Sequence, residues 1–288
     1  MTSSAIRGAD KREMRQLTVD GGQLEYEMQG SGEPRLLIPP GPVAGAFVPL
    51  MLEPALLDGY CAIRYHRRGQ GGSAPPATPV SFADHAADAA SLLDHLGVRR
   101  AHVVGHSTGA AIALQLALDH PAVVQTLALL EPPLFAVRSA GAFLDSAGPS
   151  LQAYTAGDRA GAMAGFLSVV SGLEWVACRD VLDACVPGGA DRVLAEADFF
   201  FASDLPALGT WTFGAEQAAA VSQPVLSVLG TRSEPLFVDG ADLLRSWLPG
   251  SEDLTLEGAG HLLHMERPKR AAEGLARFFA RHPSAVVS

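Results

Sequence analysis

The sequence predicts an α/β fold in which a mostly parallel, eight-stranded sheet is flanked by helices. The main observation is that six short apolar runs alternate with segments of helical periodicity: "RLLIPP", "YCAIRYH", "AHVVG", "QTLALLE", "PVLSVLG" and "EDLTLEG". Runs that are apolar throughout and separated by helices are typical of parallel strands buried on both faces. Before them, two segments of alternating hydrophobicity are joined at Gly21-Gly22. This pattern predicts a hairpin and adds two strands.

The helix boundaries are marked by capping residues. Ser81 and Asp84 are spaced as in a capping box, and Gly97 stands where that helix is expected to end. A second helix is expected to begin directly after Ser107, and the last one near Pro268. Helices placed between consecutive runs supply the crossovers that parallel strands require.

One long interval breaks the alternation of strands and helices. From about residue 134 to 222 the sequence shows Ala-rich helical patterns and no strand-like run flanked by turns. We interpret this interval as a helical cap inserted after the sixth strand. The predicted organisation is an N-terminal lead at 1–14, a first core part at 15–133, the cap at 134–222 and a second core part at 223–288.

The composition describes a globular protein and argues against several kinds of partner. Of the 288 residues, 48% are hydrophobic and 18% charged, and the net charge of −10 disfavours binding to nucleic acid or an anionic membrane. The three cysteines show no CxxC spacing, so neither a disulfide framework nor a zinc site is indicated. We see no secretory leader and no apolar run of about 18 residues. We therefore expect a cytoplasmic protein without a membrane span, and a homodimer stays open.

The stretch Gly105-His106-Ser107-Thr108-Gly109 matches the pattern G-x-S-x-G. It directly follows a β run and directly opens a helix, as a nucleophile elbow requires. Small residues on both sides of the serine let strand and helix approach closely. The helix N-terminus directs free N–H groups toward negative charge that forms on a bound carbonyl. Ser107 is therefore the candidate nucleophile, and a plain N-cap serine is the alternative.

A serine hydroxyl needs a base to act as a nucleophile. His261 lies in the Gly-rich segment "LEGAGHLLHMERP", between the last strand-like run and the last helix. A loop in that position can bring an imidazole over the carboxyl edge of the sheet, where the elbow also lies. We therefore predict that His261 is the base. His264, three residues later, is expected to pack near the site or to line it.

These residues resemble the α/β-hydrolase fold family, in particular its capped, serine-nucleophile esterases and lipases. The resemblance covers almost the whole chain, from about residue 15 to 282. The segment "YHRRGQGGS" at 65–73 is similar to the family's D-x-R-G-x-G-x-S turn, with His66 where an Asp is usual. The resemblance also implies the order nucleophile, acid, base along the chain, with Ser107 first and His261 last.

The resemblance implies an oxyanion hole with one backbone donor in the loop after the third strand. The family often has H-G-G-P-G there, whereas this chain has Pro39-Pro40-Gly41-Pro42. In the register that we favour, Gly41 is the donor and the Thr108 N–H is the second donor. A shift by one residue puts Pro42, which has no N–H, at the donor position. The loss of one donor costs about 3–4 kcal/mol in the transition state.

The acid has two main candidates. Glu131 stands at the carboxyl end of the sixth strand, in "LALLEPPL", where some members of the family carry an acid. Glu234 follows Gly230 by four residues, close to the family's commonest position after the seventh strand. Either glutamate could orient His261 and stabilise its imidazolium form. We favour Glu131, keep Glu234 as the alternative and rank Asp239 third.

The resemblance implies a cofactor-free serine hydrolase that cleaves an ester or related acyl bond of a moderately sized apolar small molecule through an acyl-enzyme. Neither a metal nor a nucleotide is expected, because the sequence shows no P-loop, dinucleotide fingerprint or His/Cys cluster. The substrate pocket is expected to include His106, Pro42, Trp175, Phe200, Trp211 and His264. Two other classes stay open on the same fold: a small-molecule binding protein and a non-hydrolytic lyase or cyclase with a modified oxyanion loop.

Overall fold

The predicted strands form one mixed sheet. The computed structural model describes residues 13–76 and 78–284. Its strands are β1 Arg15–Val19, β2 Gly22–Gly30, β3 Glu33–Ile38, β4 Tyr60–Tyr65, β5 Ala101–His106, β6 Val124–Leu130, β7 Val225–Gly230 and β8 Glu252–Leu256. They pair in the order β1-β2-β4-β3-β5-β6-β7-β8. Strand β2 is antiparallel to β1 and β4, and the other neighbours are parallel. The predicted hairpin and the mostly parallel sheet are thus confirmed.

The α-helices of the described residues are α1 Pro54–Leu57, α2 Phe82–His95, α3 Thr108–Asp119, α4 Ala140–Thr155, α5 Arg159–Ser171, α6 Trp175–Cys185, α7 Gly189–Ala195, α8 Ala197–Phe199, α9 Leu205–Thr210, α10 Ala215–Ala220, α11 Pro235–Trp247, α12 Leu263–Glu266 and α13 Pro268–Ala280. A π-helical turn, Phe200–Asp204, joins α8 to α9, and short 3₁₀ turns occur at Leu50–Leu52 and Pro121–Val123. None of the helices in the described residues is by itself long and apolar enough to cross a membrane. Helices α5 and α6 reach that length only together, across a bend of 90°.

Helix α2 begins and ends at the residues that predicted it. The Ser81 hydroxyl accepts the N–H of Asp84, and the Asp84 carboxylate accepts the N–H of Ser81 at 2.8 Å, which completes the capping box. Gly97 takes a left-handed conformation, with φ at +66°. A left-handed residue just past the last turn ends a helix without the steric penalty that a side chain would bring.

Both faces of the sheet are covered at its centre, so every residue of β5 and β6 is buried, whereas β8 at the edge is partly exposed. In β3, Leu36 and Ile38 pack with residues of α2 and α3 on one face. Leu37, between them, packs on the opposite face with Leu275 and Phe278 of α13. Successive side chains of a strand point to opposite faces. A strand between two helical layers is therefore apolar at most of its positions.

Between β6 and β7 the chain is helical, from α4 to α10. The two strands are neighbours in the sheet, so these helices form a single insertion between adjacent strands. Their apolar residues cluster with Val43, Leu236 and Leu262. These three residues follow β3, β7 and β8, so the helices pack over the carboxyl ends of the parallel strands.

The close approach of β5 and α3 makes Gly105 a sensitive position. A Cβ there would lie 2.6 Å from Ala110 Cα and closer still to the Gly109 carbonyl oxygen. Because both neighbours are backbone atoms, the clash cannot be relieved by rotating a side chain. We expect Gly105→Ala to lower the free energy of unfolding by about 3 kcal/mol, measured by urea denaturation. Gly141→Ala is the control: Gly141 lies in α4 with open space around its Cα, so it should be neutral or stabilise by about 0.5–1 kcal/mol. Equal effects of both changes would contradict the steric argument.

Candidate active site

Ser107 lies on a strained turn between β5 and α3. Its backbone has φ 53° and ψ −124°, a conformation that costs roughly 1–3 kcal/mol in a residue with a side chain. A Cβ on Gly109 would overlap the carbonyl oxygen of Ile38, so β3 and α3 also approach closely here. The elbow predicted from G-x-S-x-G therefore has its geometric basis: small residues on both sides permit a sharp strand-to-helix turn.

Glu131 occupies the matching position at the end of the neighbouring strand β6. Its φ is 49°, and among the described residues Ser107 and Glu131 are the non-glycine residues with positive φ. The two strands are parallel neighbours, and the Ser107 N–H donates to the carbonyl of Leu130 at 2.9 Å. Both special backbone positions thus stand side by side at the carboxyl edge of the sheet.

His261 is held against Glu131. The ring Nδ1 lies 2.6 Å from Glu131 Oε2. The other carboxylate oxygen accepts the N–H of Gly230 at 2.9 Å and the hydroxyl of Ser233. Phe237 stacks on the imidazole, with centroids 3.9 Å apart and planes inclined by 11°. The orientation of the ring is therefore fixed on its edge and on its face, and Nε2 stays available for a proton.

The other acid candidates lie elsewhere. Glu234 precedes the first residue of α11 without a side-chain cap hydrogen bond, is half-buried and has its carboxylate beside Gly172. Asp239 pairs with the exposed Arg138 at 3.4 Å. Only Glu131, of the three predicted acids, contacts His261 among the described residues.

Burial dominates the protonation of this pair. Glu131 and His261 are 2% and 3% exposed. Burial raises the pKa of the Glu131 carboxyl to about 8, although the hydrogen bonds from Ser233 and Gly230 oppose the shift. Burial also lowers the pKa of His261 to about 3. Both shifts favour uncharged forms, so the imidazole is neutral and the carboxyl ionises only as the pH approaches 8.

Ser107 and His261 line one cavity, together with Gly41 and Thr108. Among the described residues no hydrogen bond joins the Ser107 hydroxyl to His261; such contacts are often long in the absence of substrate. The backbone N–H groups of Gly41 and Thr108 likewise have no acceptor among the described residues. Both are therefore available to a ligand, and Thr108 is the first residue of α3, where the helix dipole favours negative charge.

The cavity is apolar outside this cluster. It opens to solvent, and the space within it, counted together with the solvent at its mouth, is about 960 Å³. Among the described residues that line it, the polar side chains are those of His106, Ser107, Thr108 and His261. None of them is charged at neutral pH, because burial lowers the pKa of both histidines. Helices between β6 and β7 supply much of its wall, including Phe143, Leu144, Leu151, Phe166 and Val170.

Three of the six predicted pocket residues lie on this cavity, namely Pro42, His106 and Phe200. The other three, Trp175, Trp211 and His264, are not among the residues that line it. Trp211 packs on Phe82 and Phe213 and donates to Gln115 at 3.0 Å. Trp175 opens α6 and packs against the buried apolar residues of the helices between β6 and β7. An aromatic residue in a helical segment buries itself against the nearest apolar face, and its position in the sequence does not reveal which face that is.

His264 packs against the site, which is one of the two positions expected from the sequence. It is fully buried behind the site, with its ring 4.5 Å from His106 and 4.7 Å from Phe47, centroid to centroid. Sequence reasoning also missed lining residues, namely Phe135, Phe143 and Phe237. A signal existed for Phe237, because it follows the carboxyl end of β7, the edge of the sheet where ligands bind. Among residues 13–76 and 78–284, no group of three His, Cys, Asp or Glu side chains is placed to hold a metal ion.

Comparisons with known proteins agree with this architecture. The alpha/beta hydrolase fold family matches residues 34–268. The chain is 27% identical over 271 residues to the uncharacterized hydrolase YugF of Bacillus subtilis. That alignment covers 92% of this chain and 97% of YugF. It is 39% identical over 109 residues to RutD of Caulobacter vibrioides, whose name assigns it to carbamate hydrolysis. That alignment covers 36% of this chain and 39% of RutD, so it spans about two fifths of the relative.

Among solved structures, the chain is similar to Est816, described as an N-acyl homoserine lactone degrading enzyme. The TM-score is 0.73 at 27% identity, and the superposition covers 92% of this chain and 100% of Est816. The family match extends over most of the chain and includes both the elbow and the loop that carries His261. The chain belongs to the α/β-hydrolase fold family.

Proposed function

We propose that this hydrolase-fold protein is a serine hydrolase that cleaves an ester, or a related acyl bond, of a moderately sized apolar molecule. The observation that carries the proposal is the contact between His261 Nδ1 and Glu131 at 2.6 Å, beside a cavity that Ser107 and His261 share. A buried imidazole held at one nitrogen by a carboxylate is the arrangement that activates a serine.

Each group has a role in the proposed reaction. Ser107 Oγ attacks the substrate carbonyl while His261 Nε2 takes its proton. Glu131 keeps the proton of the imidazole on Nδ1 and stabilises the imidazolium that forms. The N–H groups of Gly41 and Thr108 bind the oxyanion. His261 then protonates the leaving alcohol, and a water molecule, activated by the same imidazole, releases the acid from the acyl-enzyme.

The substrate class follows from the wall of the cavity. Outside the reacting cluster its described lining is aliphatic and aromatic, which favours an acyl or alkoxy group without charge. The helices between β6 and β7 act as a cap in this proposal, because they supply side chains such as Phe166 and Phe200 that exclude water from the carbonyl. The names of Est816 and RutD, which refer to lactone and carbamate cleavage, add support for hydrolysis of an acyl bond.

Labelling with a fluorophosphonate tests the proposal. We expect one adduct per chain, seen as a mass increase of the intact protein and mapped to Ser107, because nucleophile, base and oxyanion donors must all be assembled for the reaction. Ser107→Ala should abolish the adduct. Ser146→Ala, at an exposed serine of α4, should label as the wild type does.

A folded wild-type protein that gains no adduct would contradict the proposal. If it then bound an apolar ligand tightly, the small-molecule binding protein would be favoured. Turnover that survives Ser107→Ala but is lost in His261→Ala would instead indicate a lyase or cyclase that uses the imidazole alone.

A further inference from the structure

A buried polar network lies directly beneath the loop that carries Gly41. Arg67, in the turn after β4, and Asp204, at the end of the π-helical turn, are both fully buried. Arg67 Nη2 lies 3.1 Å from Asp204 Oδ2. Removing two charges from water is expensive, so a fully buried pair persists only where further hydrogen bonds satisfy it. The further partners of this pair belong to the candidate oxyanion site.

The network donates hydrogen bonds to the carbonyl of the peptide that joins Pro40 to Gly41. The Pro40 carbonyl accepts from Arg67 Nη2 at 3.0 Å and from Gln70 Nε2 at 2.9 Å. The described chain has no cis peptide bond, and in a planar trans peptide the C=O and N–H point in opposite directions. Two donors on the Pro40 oxygen therefore also determine where the Gly41 N–H points.

The composition of the loop explains why it is held through its carbonyl groups. Of the four residues Pro39 to Pro42, only Gly41 has a backbone N–H. The loop therefore cannot be held through N–H groups of its prolines, and its carbonyls are the groups left for anchoring. The Gly41 carbonyl also accepts from Arg67 Nη2, at 3.3 Å, and from Gln70 Nε2.

The same pair contacts the second donor residue and belongs in part to the cap helices. The Thr108 hydroxyl donates to Asp204 Oδ2 at 3.2 Å and accepts from Arg67 Nη2 at 3.4 Å. Phe200 lies in the same π-helical turn as Asp204 and packs closely on Gly41. A Cβ on Gly41 would lie 2.7 Å from the Phe200 ring. The π-helical turn thus reaches both sides of the candidate oxyanion site.

We infer that Arg67, Gln70 and Asp204 are positioning residues that hold the Gly41 N–H toward the oxyanion and tie its direction to the cap. The inference rests on the proposed function for its catalytic consequence. The residues do not touch the substrate; they act through the peptide between Pro40 and Gly41 and through Thr108. Since Asp204 comes from the cap, a displacement of the π-helical turn would release both donor residues together.

Kinetics of Gln70→Leu and Asp204→Asn test the catalytic part. A misdirected donor weakens binding of the oxyanion but not of the ground state, so kcat should fall by about 10²-fold with KM unchanged within about threefold. Asp88→Asn is the matched control, because it disrupts the Arg68–Asp88 pair, which is anchored in the same turn but does not contact the loop. It should leave kcat within about threefold of the wild type. Gln70→Leu keeps the test valid if Asp204→Asn fails to fold.

A second readout does not depend on turnover. Labelling with [¹³C′]proline and [¹⁵N]glycine selects Pro–Gly peptides, of which the sequence has three, at 40–41, 187–188 and 249–250. The hydrogen bonds to the Pro40 carbonyl influence the Gly41 amide resonance. Gln70→Leu should therefore shift that signal and leave the other two, which serve as internal controls, in place.

The outcomes separate this inference from the proposed function. An inactive, unlabelled wild type would refute the proposed function, and the Gly41 signal would still decide whether the network holds the peptide. An unmoved Gly41 signal in folded Gln70→Leu would overturn the inference. A kcat of Gln70→Leu within threefold of an active wild type would also overturn it, because the hydrogen bonds to the Pro40 carbonyl would then have no catalytic effect.

Discussion

Replacing Glu131 with Gln is expected to lower kcat by about 10⁴-fold at pH 9, where the wild-type carboxylate is ionised. The amide is almost isosteric, but its NH₂ group can donate to Nδ1 and so stabilise the wrong tautomer of His261, with the proton on Nε2. The imidazole would then be unable to take the proton of Ser107. The measurement is the acylation rate with a chromogenic ester in stopped flow, alongside a thermal melt that verifies folding.

Glu234→Gln is the control for this change. Its carboxylate lies beside Gly172 at the start of α11 and has no contact with His261 among the described residues. We expect acylation within about threefold of the wild type, because an exposed or half-buried carboxylate far from the imidazole adds little to its orientation. A large loss in Glu234→Gln together with a small one in Glu131→Gln would reverse the assignment of the acid.

The pH dependence of kcat/KM is the second large effect. In the proposed mechanism the active pair is a neutral His261 beside an ionised Glu131. This pair holds one proton fewer than the form that burial favours. Since burial raises the pKa of Glu131 to about 8, kcat/KM should rise with pH and reach half its plateau near that value. A single deprotonation with this pKa leaves about 1% of the active form at pH 6, so the expected rise from pH 6 to 9 is about 100-fold. A pH profile with a neutral ester measures it.

The same titration affects stability with a definite sign. The pKa of Glu131 is raised above its ordinary value of 4.5. The protonated carboxyl therefore contributes stability that is complete below pH 4.5 and is lost as the pH rises through 8. In Glu131→Gln, both the rise of kcat/KM and this part of the stability profile should disappear. An activity midpoint near 6.5 in the wild type would show that the imidazole titrates as in water and would contradict the argument from burial.

The sequence determined the features that depend on neighbouring residues. Apolar runs that alternate with helical patterns predicted the parallel strands, because a strand covered on both faces is apolar at most positions. The capping box at Ser81 and Asp84 predicted the start of α2, since a cap is made within four residues. The pattern from Gly105 to Gly109 predicted the strained turn at Ser107 for the same reason: small residues, turn and helix N-terminus lie within one short segment.

Only the tertiary structure decided which distant residues meet. Glu131 and Glu234 were both plausible partners of His261 in the sequence, and the choice depends on where the loop after β8 crosses the ends of β6 and β7. Arg67 and Asp204 are 137 residues apart, and neither signals its partner locally. The aromatic residues of the helices between β6 and β7 could face the cavity or pack among those helices, and helical periodicity is the same in both cases. Contacts of this kind are set by the packing of whole elements, which no short segment of the chain encodes by itself.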